Sequence, residues 1–474
     1  MAELHELDAS GQAELVASGQ VSSRELADHA IARIESLNPD VNAVIWTDYE
    51  AARKQADAVT ANGDDGGLFA GVPFLLKDIG ATQAGLPHWM GNRALKAADH
   101  RRASDTELGS RFRRAGLITL GKTNLPELGS SPTTQPLSCG PTNNPWDADR
   151  SPAGSSGGAG AAVASGMVSI AHANDGGGST RLPAAWCGLV GLKTTRGRIP
   201  APEDTSRLLS ELAVTKTVRD TARLLDAVHG PTDADLYFAA PPDHSYRSCV
   251  GSTTPQQRVA MITDGGRWPV DPECVAAVEH TAALLAEMGH AVEPVSSDVL
   301  LGPESLVNGK MWMAGLARRV EALGEKLGRP LTEDEVEPYN WTAAERGNSM
   351  LATEMAQATE QQQLWAKSVI EWMSADYDIL LTPTSGAVPM RTEDLTPPVE
   401  SPWKIGTVYG KIGAFTLPFN VTGQPAISLP LFWTDAGLPV GVQLVGGMGR
   451  EDLLLGLAAE LEAADPWYHR YPAL

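Results

Sequence analysis

The sequence predicts an α/β protein. Short apolar runs of strand character recur along the chain, among them VNAVIW, GVPFLLK, GLITLG, MVSIAHA, DILLTPTS and PAISLP. Stretches with helical periodicity separate them, and two serine-and-glycine clusters at residues 151–183 interrupt the pattern with loops. A chain of 474 residues with 42% hydrophobic content can bury a large core. Length alone would allow two to three domains of about 150 residues.

The first element is a helix. Ser22, followed three residues later by Glu25 and preceded by Val21, has the form of a capping box with a hydrophobic staple. It opens RELADHAIARIESLN, where Leu26, Ile31, Ile34 and Leu37 make an apolar stripe. VNAVIW then reads as the first strand. Residues 64 to 67, Asp64 to Gly67, form an exposed turn ahead of GVPFLLKDIG, a strand that delivers Lys77 from a wholly apolar run. A lysine in that position is either a snorkelling edge residue or a desolvated functional amine.

GLITLGKT, residues 116–123, matches the phosphate-loop pattern GxxxxGK[ST]. Its four variable residues are LITL, an apolar run of β character, and Pro126 follows shortly after Lys122. The preferred reading is a strand ending at Gly121, with a nucleotide-binding protein as the alternative function.

Residues 151–183, SPAGSSGGAGAAVASGMVSIAHANDGGGSTRLP, hold the chemistry. Glycine runs let the backbone approach whatever binds there. AGAAVASGM reads as a short small-residue helix and MVSIAHA as a buried strand. Ser179 follows Gly176, Gly177 and Gly178 and precedes Arg181 and Pro183, which puts it at the start of a helix, where free N–H groups stabilise an anion. GSSGG also fits the GxSxG elbow around Ser156, with His172 or His229 as base. That elbow requires a strand immediately before it, and DADRSPA is a proline-containing loop.

Residues 230–375 turn to long helical segments such as CVAAVEHTAALLAEMGH and EMAQATEQQQLWAKSVIEWM. Trp312, Trp341 and Trp365 lie there and read first as core. No internal repeat is visible. Lys and Arg total 37 against 58 Asp and Glu, and a net charge of −21 argues against a nucleic-acid partner. Cys139, Cys187, Cys249 and Cys274 show no CxxC spacing, which suits a reduced protein with no metal site. MAELHELDASGQ has no apolar secretory region, and no stretch approaches the roughly 20 apolar residues of a membrane span. A cytoplasmic location without a membrane partner is expected, and a homodimer is an allowed arrangement.

GSSGG, DGGGSTRLP and CGLVGLKTTRGRIP together resemble the amidase signature family of serine hydrolases. The resemblance continues through GKTNLPELG, GPTNNPWDADRSPAGSSGG, PFNVTGQPAISLP and GLPVGVQLVGGMGREDLLL, and so covers most of the chain. It implies a single domain over 1–474 with a mixed central β-sheet sandwiched between α-helices. Within it, 65–220 would be the signature core and 230–375 a variable helical region shaping the substrate pocket. It also implies a catalytic set of Lys77, Ser155 and Ser179, the serines 24 residues apart, with a cis peptide at Ser155. Neutral Lys77 would take a proton from Ser155, which takes one from Ser179. Burial behind FLL would lower the lysine pKa.

The oxyanion would rest on the N–H groups of Gly176, Gly177, Gly178 and Ser179, each such donor contributing about 3 kcal/mol. The backbone around Gly129 would line the acyl side, Asp175 and Arg181 would brace the loop, and no metal or organic cofactor is needed. Two departures from the family pattern, Ala153 and Thr194, touch none of these positions. AHANDGGGSTRLP, WCGLVGLK, GRPLTEDEVE and GREDLLL most resemble the branch with cyclic nylon-oligomer hydrolases and urethanase-like amidases. The expected substrate is a small, neutral, fairly apolar amide or carbamate. Met311, Trp312 and Met313 are candidates for its pocket, and the net charge is expected to disfavour anionic substrates, within a screening length of about 10 Å. A catalytically silent binding protein with the same fold is the remaining alternative.

Overall fold

The computed structural model describes residues 3–62, 67–200, 207–301, 308–398 and 400–474. Of the turn expected at 64–67, residues 64–66 lie outside the described residues. Eleven strands form one mixed sheet: β1 (Val44–Thr47), β2 (Pro73–Lys77), β3 (Ile118–Thr123), β4 (Ile170–Asp175), β5 (Val190–Lys193), β6 (Ser210–Thr215), β7 (Arg258–Met261), β8 (Ala291–Pro294), β9 (Ile379–Pro383), β10 (Ala426–Trp433) and β11 (Pro439–Gly446). Their spatial order is β1-β3-β2-β4-β6-β5-β10-β11-β9-β7-β8.

Strands β2, β3, β4, β6, β9 and β11 are buried at every position. That is the burial of a sheet covered on both faces, and it explains why several of them read as continuous apolar runs. The alternation survives in the packing. Phe74 and Leu76 enter one core with Phe112 and Leu192. Leu75 between them enters the core on the opposite face with Leu120, Ala161 and Val163. Helices therefore lie on both sides, as the α/β reading expects.

β2 and β4 are parallel neighbours, with Leu75 opposite Ala171. Lys77 and Asp175 thus leave the sheet at the same edge, the carboxyl end where α/β proteins place their ligand crevices. The helix Gly157–Ala164 is built only from Gly, Ala and Val and is wholly buried. It lies so close to its neighbours that a Cβ on Gly158 would come within 2.5 Å of the Asn124 backbone.

The helix Ser23–Val41 opens on the capping box read from Ser22 and Glu25, both of its hydrogen bonds being present. GLITLGKT is corrected as a phosphate site. Ile118–Thr123 is a strand held between β1 and β2, with Lys122 buried inside the sheet, so no loop exists to cradle phosphates. That strand also runs two residues beyond the expected end at Gly121. Between 230 and 375 the long helices Pro272–Glu287, Asn308–Leu327 and Ala352–Asp376 are present, but so are β7 and β8, which extend the sheet at one edge. These strands have four residues each, too few for a periodic signal. No helix among the described residues is long and apolar enough to cross a membrane.

Candidate active site

β2 ends on Lys77, whose side chain is completely buried. Its Nζ lies 2.7 Å from Ser155 Oγ, 2.8 Å from Ser156 Oγ and 2.7 Å from Asn174 Oδ1. Burial disfavours the ammonium, and Glu211 and Asp175 offset this only in part, so Lys77 is pulled down to about 7. In the neutral form of Lys77 the contacts decide where the protons sit. A neutral amine has two hydrogens and one lone pair. Asn174 Oδ1 can only accept, and the Ser156 hydroxyl, which donates to the Asn174 carbonyl at 3.3 Å, accepts as well. Both Lys77 hydrogens are thereby used. The lone pair faces Ser155, whose hydroxyl becomes the donor.

Ser155 follows a cis peptide with Gly154. Gly154 packs against Thr133 so closely that a Cβ would meet its backbone at 2.6 Å. Gly129 is next to Ser155, since a Cβ there would sit 3.3 Å from Ser155 Oγ, and its φ of +64° suits glycine. Ser179 stands where the sequence places it, in the turn before the helix Arg181–Cys187. Its carbonyl accepts from the Ser156 N–H at 3.2 Å, which ties the two serine loops together. Ser155, Ser179, Gly129, Gly176 and Gly177 share the wall of one cavity of about 1970 Å³.

Asp175 and Arg181 brace the loop as expected. Arg181 donates from Nε to Asp175 Oδ2 at 2.9 Å and from Nη2 to Oδ1 at 2.8 Å, with both side chains buried. Burial by itself would raise Asp175, but Arg181 and Asn420 hold it well below the usual carboxylate range. The same carboxylate accepts from the Gly178 N–H at 2.6 Å. Gly178 is therefore corrected as a free oxyanion donor, because Asp175 already takes its N–H. The N–H groups of Gly176, Gly177 and Ser179 meet no acceptor among the described residues. Gly178 is instead required by space: at φ +130° a Cβ would lie 2.4 Å from Thr416 Oγ1.

Several partners escape a sequence reading. Ser156 and Asn174 complete the surroundings of Lys77, and Thr416, Asn420 and Gln443 reach Arg181 from more than 200 residues away. Ser156 is no elbow nucleophile, since its hydroxyl is engaged by Lys77 and by the Asn174 carbonyl. His172 is buried on β4, where Nδ1 accepts from the Lys77 backbone N–H at 3.3 Å. His229 packs edge-on against Tyr246. Neither histidine lines the cavity.

From the variable region Met311 and Trp312 line the cavity, while Met313 packs into a neighbouring apolar cluster. Trp365 is core, but Trp312 is only half-buried and packs tilted against Tyr339 and edge-on against Trp403. The cavity wall carries twice as many arginines and lysines as carboxylates, so the net charge of −21 does not describe the site.

The family model described as Amidase matches residues 25–455. The chain belongs to the amidase signature family. Its relatives include the 6-aminohexanoate-cyclic-dimer hydrolase of Paenarthrobacter ureafaciens, 39% identical over 98% of this chain and 96% of the relative. The acylamidase of Rhodococcus erythropolis is 33% identical over 99% and 98%. Among solved structures, 6-aminohexanoate cyclic dimer hydrolase complexed with substrate superposes with a TM-score of 0.93 at 38% identity, covering 99% of both chains. A bacterial aryl acylamidase of the family reaches 0.89 at 27% identity over 99% and 98%. As an amidase, this chain is a hydrolase of carbon–nitrogen bonds.

Proposed function

We propose that this amidase cleaves the C–N bond of neutral, fairly apolar amides through an acyl-enzyme on Ser179. The observation that carries the reading is the buried Lys77 amine in contact with the Ser155 hydroxyl on the wall that also holds Ser179. A serine hydroxyl is a weak nucleophile until a base takes its proton. Here neutral Lys77 takes the proton of Ser155 as Ser155 takes that of Ser179, and Ser179 Oγ bonds to the carbonyl carbon. The N–H groups of Gly176, Gly177 and Ser179 hold the oxyanion, and the proton returns through Ser155 to the leaving nitrogen as the C–N bond breaks. Water then adds to the ester by the same route in reverse, releasing the acid and restoring Ser179.

A carbamate offers Ser179 the same carbonyl and the same amine leaving group, so aryl carbamates and urethane-like compounds join nylon-like oligomers in the substrate class. The names of the relatives, a cyclic-dimer hydrolase and acylamidases, favour amides of this kind. Residues 230–375 act as the pocket-shaping region and 65–220 as the catalytic core. Met311 and Trp312 on the cavity wall support that division. Methionine is an adaptable packing residue at such a site.

The test is a panel of p-nitroanilides, aryl amides, aryl carbamates and cyclic amides assayed for released amine, together with labelling by a serine-directed fluorophosphonate. Labelling at Ser179 with amine release supports the reading. An unlabelled, inactive protein would mark a silent binding module.

The pH profile gives a second check. Lys77 falls from 10.5 to about 7 on folding, so its reactive neutral form dominates above that value and is lost below it. kcat/KM is expected to rise with pH and level off, with a midpoint near 7 in the free enzyme. A profile flat between pH 5.5 and 8.5 would rule out Lys77 as the base.

A further inference from the structure

We propose that Glu211 is a positioning residue for the catalytic lysine: through the Asn174 amide it aims Lys77 at Ser155, and its carboxylate is the counter-charge to the ammonium that Lys77 becomes on taking the serine proton. This rests on the amidase reading above and adds to it the group that anchors the proton relay. The sheet sets the spacing. β4 and β6 are antiparallel neighbours in a register that puts Asn174 directly opposite Glu211, and residues so placed carry their side chains on one face. His172, two residues before Asn174 on β4, faces the same way.

The hydrogen bonds run in one direction. Asn174 Nδ2 donates to Glu211 Oε1 at 3.3 Å and to the Ile79 carbonyl at 3.4 Å, which leaves Asn174 Oδ1 to accept from Lys77 Nζ at 2.7 Å. Turning the amide over would set its N–H groups against the lysine donors and its oxygen against a carboxylate. Glu211 thus determines which end of Asn174 the lysine meets. The fit is close: a Cβ on Gly80 would lie 1.8 Å from Glu211 Oε1 and 2.7 Å from Asn174 Nδ2. Glu211 and Asn174 also line the cavity that holds Ser155 and Ser179.

When Lys77 takes the Ser155 proton, its three hydrogens have three acceptors at 2.7–2.8 Å: Asn174 Oδ1, Ser156 Oγ and Ser155 Oγ. What the new ammonium needs is a negative charge. Burial opposes it, and Glu211 is the foremost charge that favours it, ahead of Asp175. Asp175 is already paired with Arg181 at 2.8 Å and also faces Lys193. Asp78, next in the chain, accepts from the Trp89 N–H at 3.1 Å and faces Lys122 of β3. Lys122 faces Glu211 as well. His172 is kept neutral by burial and by Lys122 and Lys77. Because its Nδ1 accepts from the Lys77 N–H at 3.3 Å, its hydrogen sits on Nε2, 3.9 Å from Glu211 Oε1.

The experiment records the pH profiles of kcat and kcat/KM on a p-nitroanilide for the parent, Glu211→Leu and Glu211→Gln, with urea unfolding to show that both variants fold. Leucine removes both the anchor and the charge. Its plateau kcat is expected to fall about 10²-fold, the scale of a catalytic group displaced by about 1 Å, with KM within about twofold of the parent. Glutamine can still accept from Asn174 but carries no charge. It should recover most of the plateau, while the midpoint of kcat/KM moves from near 7 to roughly one pH unit lower, because no opposite charge then favours the ammonium. A residue needed only for folding would leave that midpoint in place. A midpoint unmoved in Glu211→Gln, or a plateau kcat in Glu211→Leu within about threefold of the parent, would overturn the assignment. Should Glu211→Leu not fold, the glutamine midpoint decides alone. If the parent cleaves no anilide, the amidase reading fails, and NMR titration of protein carrying carbon-13 at the lysine ε-carbon decides, following the signal that is missing from Lys77→Met. A lower midpoint in Glu211→Gln supports the role of Glu211; an unchanged one overturns it.

Discussion

Ser179→Ala is expected to lower kcat/KM for a p-nitroanilide by about 10⁴- to 10⁶-fold, the scale on which a serine hydrolase loses its nucleophile. The fold should be untouched. Ser179 is half-buried on the cavity wall, and the contact recorded between the serine loops uses its backbone carbonyl, which alanine keeps. The loop is held by Asp175 and Arg181, which the substitution leaves in place. Unfolding free energies of the variant and the parent should therefore agree within about 0.5 kcal/mol, the range of a change that removes no packing or network. Lys77→Ala and Ser155→Ala should be comparably inactive, since members of one proton-transfer unit are not additive. Retention of a tenth of the parent's activity by Ser179→Ala would end the assignment of the nucleophile.

Asp175→Ala is expected to destabilise the protein by about 3–5 kcal/mol, because it strands the fully buried Arg181 guanidinium as an uncompensated charge. It also removes the acceptor used by the Gly178 N–H at 2.6 Å and the Thr180 N–H at 3.2 Å, so the turn carrying Ser179 loses its anchor and activity falls with stability. The pH sign follows from the depressed pKa of Asp175. Its contribution is fully present above the unfolded value of 3.8 and is lost only as pH falls through the folded value. The difference between parent and variant in urea unfolding should thus be constant from pH 6 to 8 and shrink only in strong acid. A double substitution with Arg181→Gln should be less destabilised than Asp175→Ala with Arg181 retained, since it removes the stranded charge. A loss below about 1 kcal/mol in the single variant would show the pair to be incidental to the fold.

The chain's local code decided a good deal without tertiary help. Ser22 and Glu25 specify where the helix Ser23–Val41 begins, because a capping box is satisfied within four residues. FLL ahead of Lys77 specifies a strand end but leaves a snorkelling and a desolvated lysine both open, and only burial in the folded sheet decides for the second. The three glycines before Ser179 specify an open turn at a helix start, and LITL specifies that GKT belongs to a strand. What only the tertiary structure decided depends on distance along the chain. Arg181 is held by Thr416, Asn420 and Gln443, and nothing near residue 181 announces them. Lys77 acquires Asn174 as a partner because β2 and β4 are parallel neighbours, an adjacency set by the whole sheet. Gly178 looks identical to Gly176 and Gly177 in the sequence, yet its N–H is already bound, since the loop turns it onto Asp175. β7 and β8 gain strand structure from edge pairing with β9 and each other, which four-residue segments cannot encode alone. The charge of the cavity wall differs from that of the chain for the same reason: composition sums every residue, while folding selects which of them face the substrate.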